Sequence, residues 1–323
     1  MPELTFREAL RMSLREELLA NERVFLMGED IGAYGGSYAV TKGFQKEFGP
    51  ERVIDTPISE SVIVGCGIGA AMGGLRPMVE LMTINFSLLA FDQIVNNASK
   101  LCYMSGGQIH VPMVIRMASG AGSQLSSQHS HSLEGWYAHI PGIKVAVPYT
   151  PYDARGLLKT AFRDDNPVIF IEHTALYARK GEVPDEAFDL PFGQAEVHRK
   201  GKDVTLIGYS GSVYQCVLAA EQLAQDGIEA EVLNLRTLRP LDIDTIVASV
   251  RKTHRAVVVE DDWRFGGFAG EIATLIMEQA FDELDAPVAR VCGADVPMPY
   301  AKQLEQAALP QPSDIVAVVR GLI

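Results

Sequence analysis

The stretch Val53-Ile54-Asp55-Thr56-Pro57-Ile58-Ser59-Glu60-Ser61-Val62-Ile63-Val64-Gly65-Cys66-Gly67-Ile68-Gly69-Ala70-Ala71-Met72 decides the fold. Val53 and Ile54 read as the end of a short strand, Thr56-Pro57 as a break, and Glu60 to Gly73 as a buried helix. Ser59 is placed to cap that helix, and Glu60 in its first turn is favoured by the macrodipole. A strand feeding a helix through a tight loop is the repeating unit of an α/β protein. Gly65-Cys66-Gly67-Ile68-Gly69-Ala70 matches the Gly-x-Gly-x-x-Gly/Ala dinucleotide pattern in letters. That fingerprint needs a strand leading into its first glycine and an acidic residue about 20 positions on; these glycines lie inside a helical pattern. Each costs roughly 1 kcal/mol there, and close approach to a neighbouring helix or subunit is the better account of them.

The same alternation extends in both directions. Helical patterns near Thr5 to Ala20, Phe91 to Met104, after His131, and at Tyr152 to Arg163 alternate with strand-like runs. Those runs are Val24 to Gly28, Pro77 to Met82, Val111 to Met117, Lys144 to Pro148 and Val168 to Glu172. Between 178 and 203 the periodicity fails among Gly181, Pro184, Pro191 and Gly193, which reads as a linker. Beyond it, strands near Val204 to Gly208, Glu231 to Leu235, Ala256 to Glu260 and Val288 to Val291 alternate with helices at Val213 to Asp226, Ile243 to His254 and Gly270 to Leu284. The expected architecture is α/β, two domains with mainly parallel sheets: residues 1–180, a linker at 181–203, and residues 204–323.

A net charge of −13 argues against nucleic acid as a partner, and 47% hydrophobic residues suffice for two cores. Cys66, Cys102, Cys216 and Cys292 form no Cys-x-x-Cys pair and suit free thiols in a reducing compartment. Charged residues throughout Met1 to Leu19 leave no signal-peptide core, and Ser61 to Leu75 is too short and glycine-rich to span a bilayer. A cytoplasmic protein without a membrane partner is expected.

Two places carry candidate chemistry. His129 and His131 lie in the Gly/Ser-rich loop 120–132. Metal binding lacks a third ligand at familiar spacing; proton transfer suits a side chain titrating near neutrality, and a solvated loop histidine is the plainer alternative. Glu60 is adequately explained as an exposed first-turn acid, and less adequately beside so apolar a segment, where a buried carboxyl needs a partner.

These residues also carry a resemblance. Ile54-Asp-Thr-Pro-Ile-Ser-Glu60, Leu81-Met-Thr-Ile-Asn-Phe86, Phe91-Asp-Gln-Ile-Val-Asn96, Tyr103-Met-Ser-Gly-Gly107, Gln128-His-Ser130, Arg163-Asp-Asp-Asn-Pro167, Leu235-Arg-Thr-Leu-Arg-Pro240 and Gly293-Ala-Asp-Val-Pro-Met-Pro-Tyr300 stand in order along nearly the whole chain. Together they resemble the beta subunits of the pyruvate dehydrogenase component of 2-oxo acid dehydrogenase complexes, a thiamine diphosphate-dependent family. The resemblance implies a pyrimidine-binding domain followed by a transketolase-type C-terminal domain. It implies that Glu60 hydrogen-bonds a ring nitrogen of the cofactor's aminopyrimidine and promotes its imino tautomer, with Phe86 on the ring face and Ile58 and Met82 nearby; for these three, ordinary core packing is the alternative. It implies that His129 acts around the bound intermediate and in transfer to a lipoyl group. It also implies a monovalent-cation site, for K+, that maps onto Met113, Ala161, Phe162, Asp164 and Asn166.

The chain contains no Gly-Asp-Gly motif, the family's holder of diphosphate and divalent metal. The resemblance therefore implies that an alpha subunit carrying Mg2+ completes the site in a heterotetramer of two alpha and two beta chains. The assembly would decarboxylate pyruvate and pass the acetyl unit to a dihydrolipoyl acyltransferase core. Met82-Thr-Ile-Asn-Phe86 and Asp295-Val-Pro-Met-Pro-Tyr300 look more like the pyruvate branch than the branched-chain one; acetoin dehydrogenase is the other alternative. The loop 117–127 is richer in serine than the family pattern, which puts the geometry before His129 in question.

Overall fold

A computed structural model describes residues 2–323. The chain divides into two compact units, residues 1–119 with 136–192, and residues 120–135 with 193–323. Both are α/β with mainly parallel strands, as the alternating pattern predicts. The segment 120–135, which carries His129, groups with the second unit rather than with the flanking strands of the first.

In the first unit six strands lie in the order Lys144–Ala146, Val168–His173, Val114–Ser119, Arg76–Leu81, Val24–Gly28 and Val53–Asp55, all parallel. Val114–Ser119 and Val168–His173 are buried at every residue, as expected of parallel strands covered on both faces. Charge enters this core as a closed group: Arg116 pairs with both Glu80 and Glu172, and Tyr177 donates to Glu172 at 2.7 Å. The helices Phe6–Ala20 and Pro151–Arg163 pack together. Each begins with a capping box, Thr5 with Glu8 and Thr150 with Asp153, satisfying N–H groups that the first turn leaves open. Lys159 joins them by pairing with Glu16 and Glu17.

The helix Glu60–Met72 packs on Arg76–Leu81. Gly67 explains how closely: a Cβ there would lie 2.7 Å from Val79 Cγ1 and 2.9 Å from Met113 Cε. The close approach is thus to the helix's own sheet. At Gly69 a Cβ would meet nothing within 4 Å.

Two expectations need correction. The helix expected over Phe91 to Met104 is broken into a π-helical turn Gln93–Ala98 and a short helix Leu101–Met104, preceded by a 3-10 turn Phe86–Ala90. Asn and Ser side chains compete for local partners here: Asn96 bonds Asp92, Asn97 bonds Gln93, and Ser99 Oγ donates to the Val95 carbonyl. The expected linker 181–203 is not structureless either. Lys180–Glu182 pairs antiparallel with Glu3–Thr5, and Glu196–Arg199 pairs antiparallel with Ala230–Asn234. Both are short and charged, as edge strands often are, so they carry no apolar alternation to read.

The second unit holds a sheet in the order Ala289–Gly293, Ala256–Trp263, Val204–Gly208, Ala230–Asn234 and Glu196–Arg199, with only the last antiparallel. Helices Gly211–Gln225 and Pro312–Leu322 pack as one pair on it, and Ile243–Thr253 and Phe268–Ala280 as another. No helix among the described residues is long and apolar enough to cross a membrane.

Candidate active site

In an open parallel sheet, loops leaving the carboxyl ends of adjacent strands converge on one edge. Three such neighbours, Val53–Asp55, Val24–Gly28 and Arg76–Leu81, set up the candidate site of the first unit. After Gly28 come Glu29 and Asp30; after Asp55, the turn 56–59 and Glu60; after Leu81, Met82 to Phe86. The loops are tied together by Thr56 N–H donating to the Gly28 carbonyl at 3.0 Å, and by Asp55 accepting from Gly32 N–H at 2.6 Å and Ala33 N–H at 3.1 Å.

Glu60 is the first residue of its helix and only 6% exposed. Ser59 occupies the N-cap position, but its side chain makes no capping bond. The helix behind Glu60 packs against the turn that begins with Phe86. Ile58 is 74% exposed, whereas Met82 and Phe86 are half-buried. This edge therefore carries a buried acid, with Ile58, Met82 and Phe86 on the loops that leave the same neighbouring strands. The hydroxyls of Thr56 and Thr83 are buried here without a hydrogen-bond partner among the described residues, an uncommon condition in a finished core.

Glu29, which was not singled out from sequence, belongs to the same edge. Burial raises its carboxyl above the usual carboxylate range, and the charges of Asp30 and Glu60 add to the shift. A carboxyl group beside other negative charges gives up its proton less readily. An acid directly after a buried strand was the available sequence signal.

In the second unit, His129 is exposed at the end of the turn Ser127–His129. The loop bearing it is closed by Gly120 N–H donating to the His131 carbonyl at 3.0 Å. His131 is half-buried, with its ring edge-on to Trp263 at 5.6 Å between centroids, and burial lowers its pKa. The two histidines do not form a metal centre, since no group of three or more His, Cys, Asp or Glu among the described residues is arranged to hold an ion. Nearby in this unit, burial pushes Glu260 up to about 7 and Asp262 up to about 6.

The five residues mapped to a monovalent cation lie together in the first unit. Arg76 Nη1 donates to the carbonyls of Phe162 at 2.9 Å and Asp164 at 3.0 Å, and the Met113 carbonyl accepts from Val168 N–H at 2.9 Å. The Ala161 carbonyl accepts from Asp164 N–H at 3.3 Å, while the Asp164 carboxylate accepts from both Asn166 nitrogens and pairs with Lys144. Arg76 and Lys144 thus already bring positive charge to this carbonyl cluster.

Comparison with known proteins gives the family of both units. Residues 2–180 match the family described as "Transketolase, pyrimidine binding domain", and residues 193–315 match "Transketolase, C-terminal domain". The chain is 50% identical over 323 residues to "Pyruvate dehydrogenase E1 component subunit beta" of Rhizobium meliloti, covering all of this chain and 70% of that protein. It is 49% identical to the protein of the same name from Rickettsia felis, over 98% of each chain. It is 52% identical to "Pyruvate dehydrogenase E1 component subunit beta-1, mitochondrial" of Arabidopsis thaliana, over 97% of this chain and 88% of that one. Among solved structures, "Split gene transketolase, inactive beta4 tetramer" shares the fold, with a TM-score of 0.80 at 24% identity over 99% of this chain and 98% of that one. With its two transketolase-type domains and full-length identity near one half to these relatives, the chain belongs to the family of pyruvate dehydrogenase E1 component beta subunits.

Proposed function

We propose that this chain is the beta subunit of a pyruvate dehydrogenase component, acting with an alpha subunit to decarboxylate pyruvate oxidatively and pass the acetyl unit to a lipoyl group. The observation that carries the reading is the buried Glu60 carboxyl at the carboxyl edge of a parallel sheet, with Ile58, Met82 and Phe86 on the neighbouring loops. Thiamine diphosphate, bound there by its pyrimidine end, supplies the acidic carbon and electron sink that protein side chains lack.

The chain's own residues do the rest. Glu60 holds a proton at the pyrimidine ring nitrogen, and its burial keeps that bond from competing with water. Phe86, Met82 and Ile58 orient the ring by its faces and exclude solvent from them. Glu29, with its raised carboxyl pKa, serves as a proton neighbour for Glu60. His129, exposed on its loop, moves a proton at the acyl group during transfer. The diphosphate and its Mg2+ fall to the alpha subunit, in keeping with the lack of Gly-Asp-Gly in this chain. An assembly of two alpha and two beta chains, docked on an acyltransferase core in the cytoplasm, completes the reading.

Substrate choice is tested by reconstituting the chain with its alpha partner and comparing kcat/KM for pyruvate, branched-chain 2-oxo acids and acetoin. Pyruvate is expected to lead. A preference for a branched acid or acetoin would move the chain to a sister branch of the family.

A further inference from the structure

The loop 120–132 reads in sequence as Gly/Ser-rich, yet its backbone is held in conformations that a free loop abandons. Gln124 and Ser126 both sit at positive φ, 56° and 64°, a region that non-glycine residues keep only when their surroundings impose it. The restraint comes from far along the chain. Glu305, on the helix Lys302–Ala308, is 1% exposed, and its carboxylate accepts from the backbone of this loop. Oε1 takes the N–H of Gly122 at 3.0 Å and of Gln124 at 3.0 Å, and Oε2 takes the N–H of Gln124 at 3.2 Å. A second tie follows at Ser127, whose Oγ donates to the Met298 carbonyl at 2.9 Å. His129 comes two residues later at the end of the same turn, exposed to solvent. The backbone that carries His129 is therefore tied down two residues before it.

We infer that Glu305 is a positioning residue for His129, fixing the strained loop so that the imidazole is presented in one place. Charge-assisted bonds from a buried carboxylate are among the stronger tethers available to a loop. A misplacement of about 1 Å at a proton-transferring group is enough to slow a reaction by ~100-fold. The inference rests on the reading of His129 as the group that moves a proton during acyl transfer.

The test is a double-mutant cycle on the reconstituted alpha–beta enzyme, reading the rate at which a lipoyl domain is acetylated, with amide exchange of the loop measured on the same samples. Glu305→Ala should slow acetylation by at least ~10-fold, and its amides at Gly122 and Gln124 should exchange at least ~10-fold faster. Glu305→Gln keeps the oxygen that serves both N–H groups and should stay within ~3-fold of wild type. Added to His129→Ala, Glu305→Ala should change the rate by less than ~2-fold, because there is no longer an imidazole to position. Equal losses in both backgrounds, or amides whose exchange does not change, would overturn the inference. If His129→Ala alone leaves acetylation unaltered, the role of His129 fails instead, and the exchange data still decide whether Glu305 anchors the loop.

Discussion

At the scale of single residues the chemistry turns on where carboxyl groups are buried. Glu60→Gln keeps the size of the side chain but removes the acid. In the reconstituted enzyme it should lower pyruvate turnover by ~10²–10⁴-fold, the span of a positioned acid–base group, with little change in melting temperature; steady-state decarboxylation measures it, and unchanged turnover would remove Glu60 from the mechanism. Glu260 shows the opposite use of burial. Desolvation pushes its carboxyl up to about 7, with Asp262 adding and the bonds from Ala269 N–H and Tyr209 O–H opposing. An unfolded glutamate titrates near about 4.3, so the folded state binds the proton more tightly. The sign follows: this contribution to stability is present in full below about 4.3 and is lost as pH rises through about 7, by on the order of 3 kcal/mol. Glu260→Gln cannot ionise, so the fall in melting temperature between pH 5 and pH 8 should be larger for the wild-type protein than for the variant. Glu29 illustrates what local reading misses: its pKa is raised first by burial at the sheet edge, with the charges of Asp30 and Glu60 adding, and that burial depends on strand order.

At the scale of elements, the glycine-rich helix was legible as a helix, while the roles of its individual glycines were not. Gly67 faces Val79 and Met113 at distances no Cβ tolerates, whereas Gly69 faces open space. Alanine at Gly67 should therefore destabilise the chain by roughly 1–3 kcal/mol through overpacking, despite its better helix propensity. Alanine at Gly69 should instead stabilise the free chain by up to about 1 kcal/mol. Urea titration of the two variants checks the predicted opposite signs; equal effects would mean that the helix does not sit on its sheet as described. The long elements were readable because apolar periodicity persists over many residues in them. The π-helical turn Gln93–Ala98 and the edge strand Glu196–Arg199 were not, since one depends on side chains bonding their own neighbours and the other on a partner strand distant in the sequence.

At the scale of the whole molecule, the two domains carry the residues proposed for the pyrimidine side and the histidine loop, while the sequence holds no Gly-Asp-Gly motif for a diphosphate-bound metal. The purified chain alone should show no pyruvate turnover, and adding an alpha chain that bears the motif should restore it; efficient turnover by the lone chain would contradict the shared site. By itself the sequence determined the two α/β domains, the order of their long strands and helices, and, through many motifs in fixed order, the family, for whose chemistry Glu60 and His129 are the proposed residues. These are properties of neighbouring residues or of their order, which a linear string records. Only the tertiary structure decided that residues 120–135 group with the second unit, that Glu29 comes within electrostatic reach of Glu60, and that the buried Glu305 restrains the loop of His129. Each of these depends on a contact between segments far apart in the chain, formed when the sheets assemble and the hydrogen-bonding groups left over must find partners.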